Sequence, residues 1–430
     1  MSRSGSHLQG SSSRSPRGAG SYVRVLALLI ALVVVVAAVF VGVQLDRGLP
    51  KASASVVFHG PLTAAGTPPV LPVPDRGETD VAVEGIGTLA AVNANREVPL
   101  ASLTKLVTAL VVLAHHPLGI GEQGPEITVP ASIGSAYPSE YAAGDSVIDV
   151  ATGERLSELQ CLEAMLIPSA DNVADLLADW TAGSESAFVA EMNAEAASLG
   201  LHHTHFADPA GLSYATVGSA ADMVRLGKVV MANPLLSLIV AMPQVDLPLN
   251  GVVYNFDYAL GRDGIVGIKT GSTVDGGGDF LWVARRKVDG QEMTVIGAVL
   301  GQYGTKTLSE LLVALHAGER LSSAAFSDLH SVTLLRPGRT LVRVTTPWGP
   351  STRGVTTRGV TTIGFSGERV NASVHLEGAA GTGSLKAPLH AGEQLAAIEV
   401  DLPSGAVTVP ATAVGAIRGP STSWRLERGL

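Results

Sequence analysis

The chain is poor in cysteine, in aromatics and in charge. Its one cysteine, Cys161, excludes an internal disulfide and any cysteine-based metal cluster. Aromatic residues make up 4% and charged residues 16%, the latter well below the ~25% of an average globular protein. Lysine is scarcer still: seven of the 29 basic residues, so a motif that demands lysine has few places to occur. The 29 basic and 38 acidic residues leave a net charge of −9. Without a basic stripe for phosphate contacts, nucleic acid is excluded as a partner.

What the chain has instead is apolar: 46% of its 430 residues. That length excludes a peptide-sized fold and suits two or three domains. Val25 to Leu45 is an uncharged run of 21 residues, and as a helix it is about 31 Å long, matching a bilayer core. Arg3, Arg14, Arg17 and Arg24 precede it. The positive bias places the N-terminus in the cytoplasm and everything after Leu45 outside the cell membrane, as a single-pass protein. Ala52-Ser53-Ala54 has the form of a signal-cleavage site and offers a secreted alternative, but the apolar run exceeds the usual ~7–15 residues of a signal peptide.

Composition divides the remainder. Residues 1–24 read as a cytoplasmic tail, 25–45 as a transmembrane anchor and 46–79 as a Pro/Gly-rich linker, the last from Gly66-Thr67-Pro68-Pro69 and Pro72-Val73-Pro74. Residues 80–326 mix helical and strand patterns and form an α+β domain. Residues 327–430 form a small β-rich domain, since Val-Thr runs such as Thr340 to Thr345 recur between turns. The end of the chain, Arg418 to Leu430, reads as a closing strand with a solvated tail.

Three elements of the central domain carry chemistry. In Ala101-Ser102-Leu103-Thr104-Lys105, Ser102 and Lys105 become neighbours on one helical face. Burial favours the neutral amine, which can then accept the serine proton. None of the other six lysines has a serine three positions before it. In Ile167-Pro168-Ser169-Ala170-Asp171-Asn172, Pro168 breaks a helix that starts with a Ser157/Gln160 capping box, so Ser169 sits at a helix–helix junction. In Gly267-Ile268-Lys269-Thr270-Gly271-Ser272, Lys269 and Thr270 offer a cation and a hydroxyl to a carboxylate, and Gly271 lets a ligand approach the strand. A paired strand follows at Phe280 to Ala284, with a hairpin turn at Asp289-Gly290.

Ser-x-x-Lys, Ser-x-Asn-like and Lys-Thr-Gly signatures in this order resemble the serine penicillin-binding proteins and β-lactamases. Flanking runs, including Thr204-His205-Phe206-Ala207-Asp208-Pro209-Ala210-Gly211-Leu212 and Ser219-Ala220-Ala221-Asp222, bring the chain closest to the low-molecular-weight D-alanyl-D-alanine carboxypeptidases. The resemblance implies a β-lactamase/transpeptidase-like fold, an antiparallel sheet with flanking helices plus an all-helical part. It also implies a serine DD-carboxypeptidase that acts on peptidoglycan stem peptides ending in D-Ala-D-Ala and is inhibited by β-lactams. Carried over by position, Ser102 is the nucleophile, Lys105 its base and Ser169 a proton relay. Lys269, Thr270, Gly271 and Ser272 bind substrate, with the Ser102 and Ser272 N–H groups at the oxyanion.

One departure stands out: Asp171 fills the position where the family has an amide, and an ionised carboxylate cannot donate a hydrogen bond. Asn172 compensates if the turn shifts by one residue, so Asp171 and Asn172 are both candidate substrate-binding residues. The alternatives are a catalytically silent penicillin- or peptidoglycan-binding protein and a β-lactamase. The latter lacks its Glu-x-x-Leu-Asn motif here. No cofactor or metal is expected, because His202, His203 and His205 lack a His-Glu-x-x-His helix.

Overall fold

The structure, a computed structural model, describes residues 19–274, 276–304, 306–377 and 383–428; most of the expected cytoplasmic tail, residues 1–24, lies outside them. Helix α1 (Ala19–Asp46) contains the apolar run, and its stretch Ser21–Asp46 is long and apolar enough to cross a membrane. Its aliphatic side chains are exposed around the whole circumference, which suits lipid rather than water.

The expected linker, residues 46–79, is not a free stalk. Ala52–Val56 forms strand β1, whose small apolar residues Ala52 and Ala54 point into the core of the C-terminal domain. The alternation in Ala-Ser-Ala-Ser-Val is a strand pattern, obscured in the sequence by the proline run that follows. The chain then crosses to the central domain through β2 (Glu78–Val83) and β3 (Gly87–Val92).

Helices α2 (Lys105–His115), α3 (Glu158–Leu166), α4 (Asp171–Ala182) and α5 (Ala220–Ala232) build the helical part. The Ser157/Gln160 capping box starts α3 as expected. Strands β4 (Ile265–Thr273), β5 (Gly277–Val288) and β6 (Gln291–Gln302) complete an antiparallel sheet in the order β4-β5-β6-β2-β3. In β5, Phe280, Trp282 and Ala284 face one core and Leu281 and Val283 the other, so alternate residues bury both sheet faces. Helix α6 (Thr307–Asp328) covers the first face through Leu311, Ala314, Leu315 and Leu321. The turn at residues 101–104 and helices α2 and α5 cover the second through Leu103, Leu106, Met223 and Leu226. Edge strand β4 is thereby held against the start of α2.

The C-terminal domain is a seven-stranded sheet in the order 372–376, 394–402, 405–413, β8 (Ser351–Thr356), β7 (Thr340–Thr345), β1, 384–385. Its core joins Leu341, Val344, Leu395, Ile398 and Val409. The end of the chain differs from the expected closing strand: Thr422–Glu427 is a short helix, α7, capped by the Ser421 hydroxyl, which accepts the Trp424 N–H. That cap satisfies a helix-end donor that a strand would have left to pairing.

Candidate active site

The nucleophile candidate lies on a 3₁₀ turn, Ala101–Thr104, that runs directly into α2. Ala101 has φ +44°, a left-handed backbone that a residue with a Cβ adopts at a cost. The Thr104 hydroxyl donates to Ala101 O at 2.8 Å and braces the turn. Lys105, the first residue of α2, is 0% exposed. Its Nζ donates to Ser102 Oγ at 2.8 Å, to Asp171 Oδ1 at 2.6 Å and to Ala210 O at 2.9 Å. Three acceptors use the three hydrogens of an ammonium.

Pro168 ends the region of α3, and α4 begins at Asp171. Between them, Ser169 has φ +65° and its Oγ, buried at the cleft, has no hydrogen-bond partner among the described residues. Asp171 is buried and two-sided: Oδ1 takes the lysine, and Oδ2 accepts the Ser146 N–H at 3.0 Å. Asn172 points elsewhere. Its Nδ2 donates to Ile148 O at 2.9 Å and its Oδ1 accepts the Ile148 N–H at 3.4 Å, so it ties a loop to α4 and does not reach the cleft. The geometry does not support Asn172 as a substitute for the missing amide; the carboxylate itself meets Lys105.

A residue without an assigned role in the sequence reading organises the third partner of Lys105. The Asp208 carboxylate accepts N–H bonds from Ala210 (2.9 Å), Gly211, Leu212 (3.0 Å) and Ser213 (3.0 Å), and the Thr216 hydroxyl at 2.8 Å. This curls the chain so that Ala210 O faces Lys105. Gly211, at φ +88°, leaves room that a Cβ would fill at 1.8 Å from Ala101 O. The only sequence signal was the Asp-Pro-Ala-Gly-Leu run itself.

Strand β4 forms the opposite wall. A Cβ at Gly271 would stand 3.0 Å from Ala101 Cβ and 3.1 Å from Ser102 N, so glycine allows the strand to close on the turn that carries Ser102. Lys269 is buried, with Nζ donating to Thr270 O at 3.1 Å. Burial, and then the charge of Lys105, push its amine down to about 7, while Asp171 and Asp257 oppose this. Buried Asp257 is raised to about 7 by desolvation.

Ser102, Ser169, Asp171, Thr270, Gly271 and Ser272 meet around one cleft of ≈ 300 Å³. Lys105 and Lys269 stand behind this lining. Asp145, Ser146, Tyr214 and Phe256 also line it, and sequence patterns had not pointed to them. Among the described residues, no group of three or more His, Cys, Asp or Glu is arranged to hold a metal ion.

A serine bonded to a buried lysine, in a cleft between an antiparallel sheet and a helical part, is an arrangement suited to nucleophilic acyl transfer. Residues 83–304 match the peptidase S11 family, D-alanyl-D-alanine carboxypeptidase, and the chain belongs to that family. It is 28% identical over 279 residues to a D-alanyl-D-alanine carboxypeptidase of Streptomyces sp. strain K15, covering 59% of this chain and 92% of that one. It is 37% identical over 145 residues to a D-alanyl-D-alanine endopeptidase of Pseudomonas aeruginosa, covering 34% of this chain and 44% of that one. The chain thus spans less than half the length of the Pseudomonas relative. Penicillin-binding protein 5 from Haemophilus influenzae shares the fold, with a TM-score of 0.57 at 19% identity over 83% of this chain and 100% of that one. The Streptomyces K15 DD-transpeptidase gives a TM-score of 0.51 at 23% identity, over 61% and 100%.

Proposed function

We propose that the protein is a membrane-anchored serine DD-carboxypeptidase that removes the terminal D-alanine from peptidoglycan stem pentapeptides and is acylated by β-lactams. The observation that carries this is the buried Ser102–Lys105–Asp171 chain, with steps of 2.8 and 2.6 Å, at a cleft bounded by the Lys-Thr-Gly strand. Lys105 passes one proton to Asp171, which turns a buried ion pair into two neutral groups. The neutral amine then takes the Ser102 proton as Oγ attacks the carbonyl of the penultimate D-alanine. Ser169, whose hydroxyl has no partner among the described residues, relays a proton to the departing amine. The backbone N–H groups of Ser102 and Ser272 stabilise the oxyanion.

Lys269 and Thr270 hold the substrate carboxylate. With the cleft empty, Lys269 sits near neutrality, and an arriving carboxylate stabilises its charged form, so recognition is itself charge-coupled. Water completes the reaction by hydrolysing the ester. The topology that fits is α1 in the membrane, N-terminus inside, with both folded domains outside.

Mass spectrometry of a D-Ala-D-Ala pentapeptide after incubation with the protein tests the reading. Loss of one D-alanine, abolished by Ser102→Ala, is expected. Acylation by penicillin with no peptide turnover favours the silent penicillin-binding alternative, against which the named relatives weigh. Cleavage at another bond would mean a different peptidase activity.

A further inference from the structure

The C-terminal domain is fastened to the last turn of α1. An α-helix ends in carbonyls without intrahelical partners. Here Arg425 donates to Leu45 O at 3.3 Å, and Arg428 donates to Gln44 O (3.3 Å), Gly48 O (3.1 Å) and Arg47 O. The same short helix, α7, carries Trp424, which lies edge-on to Trp348 with ring centroids 5.8 Å apart. Trp348 occupies the turn between β7 and β8, and its Nε1 donates to Arg418 O at 3.0 Å. Tryptophan and arginine gathered where an apolar helix ends are the composition of a membrane–water interface.

From that turn the β7–β8 hairpin rises with Thr345 opposite Ser351 and Arg343 opposite Arg353. At ~3.4 Å per residue, the arginine pair stands about 7 Å beyond the first strand residues' exit into the turn. A headgroup layer has a comparable depth, since a bilayer ~40–45 Å thick has a hydrocarbon core of ~30 Å. Arg343 and Arg353 are cross-strand partners, and like charges at directly opposite positions are destabilising. Neither has an ion pair or a side-chain hydrogen bond among the described residues. The hollow between them, ≈ 340 Å³, is lined by Arg343, Ser351, Thr352, Arg353, Val414 and Gly415, without a carboxylate. Ser55 of β1 pairs with Arg343 on the other side.

We propose that Arg343 and Arg353 form a binding site for a phosphodiester, the headgroup of an anionic phospholipid, on the face of the C-terminal domain that meets the membrane. The planar guanidinium fork matches phosphate oxygens two at a time. The anion also relieves the repulsion that the hairpin otherwise bears. The site lies outside the catalytic domain, and it rests on the functional reading only in taking α1 as the membrane anchor.

The test is titration of the full-length protein, held in neutral detergent micelles, with short-chain phosphatidylglycerol, short-chain phosphatidylcholine and inorganic phosphate. Expected is saturable phosphatidylglycerol binding, weak phosphatidylcholine binding, and about a 30-fold loss of phosphatidylglycerol affinity in Arg343→Gln/Arg353→Gln. Each single Gln variant, which removes one of two repelling charges, should lose about fivefold. Far-UV circular dichroism and thermal unfolding that match wild type verify that the variants are folded in both domains. Equal phosphatidylglycerol binding by wild type and double variant, or no saturable binding by wild type, overturns the site. Inorganic phosphate binding as tightly as phosphatidylglycerol overturns the lipid assignment.

Discussion

Replacing Asp171 by asparagine changes one atom in the proton path and tests whether the carboxylate serves the lysine or merely fills the motif. Asp171 uses both oxygens, one for Lys105 Nζ at 2.6 Å and one for the Ser146 N–H at 3.0 Å. An amide has a single oxygen, so one of those two donors loses its acceptor. An orphaned buried N–H costs about 1–3 kcal/mol, and an uncompensated buried charge costs about 3–5 kcal/mol. We therefore expect Asp171→Asn to be destabilised by about 2–4 kcal/mol, read by urea denaturation.

The kinetic consequence is sharper. In the wild type the proton that Lys105 must lose has an acceptor inside the site, on Asp171. In the variant that acceptor is gone, and acylation should slow by about 10²–10⁴-fold. Stopped-flow measurement at saturating penicillin isolates this step from carboxylate binding by Lys269. A variant as fast as wild type would refute the proton-acceptor role of Asp171.

Lys269 predicts a different pH effect, on affinity. Its amine is brought down to about 7 by burial and by the charge of Lys105, so the cation proposed to bind the substrate carboxylate is present below that pH and lost above it. KM for the pentapeptide should rise between pH 6 and 9, and Lys269→Arg, always charged, should flatten the rise. Asp208→Ala removes the acceptor of five hydrogen bonds and should lower unfolding free energy by about 2–4 kcal/mol, read by urea denaturation, with acylation lost in step. Gly271→Ala places a methyl 3.0–3.1 Å from Ala101 and Ser102. It should leave the fold intact by circular dichroism but slow acylation at least tenfold by shifting the turn away from β4.

The parts of this site that could be read from the sequence are those fixed by local spacing. Ser102 and Lys105 are one helical turn apart, so their contact follows from backbone geometry. The Ser157 capping box and the Asp289-Gly290 hairpin are local too. Long-range contacts were not legible. Whether Asp171 or Asn172 faces Lys105 depends on how α4 is rotated against α2, and the positive φ of Ser169 sets that register. The role of Asp208 depends on a curl of backbone N–H groups that no side-chain pattern announces. Likewise β1 is five residues long, and only pairing with β7 and with residues 384–385, about 300 positions later, makes it a strand.

The central claim is that Ser102 is the residue acylated, activated within the Lys105–Asp171 chain. Incubation of the full-length protein with labelled penicillin, followed by peptide mapping, tests it most directly. The account predicts a single adduct on the peptide containing Ser102, absent from Ser102→Ala and strongly slowed in Lys105→Ala. An adduct that persists in Ser102→Ala, or that maps to another residue in the wild type, would contradict it.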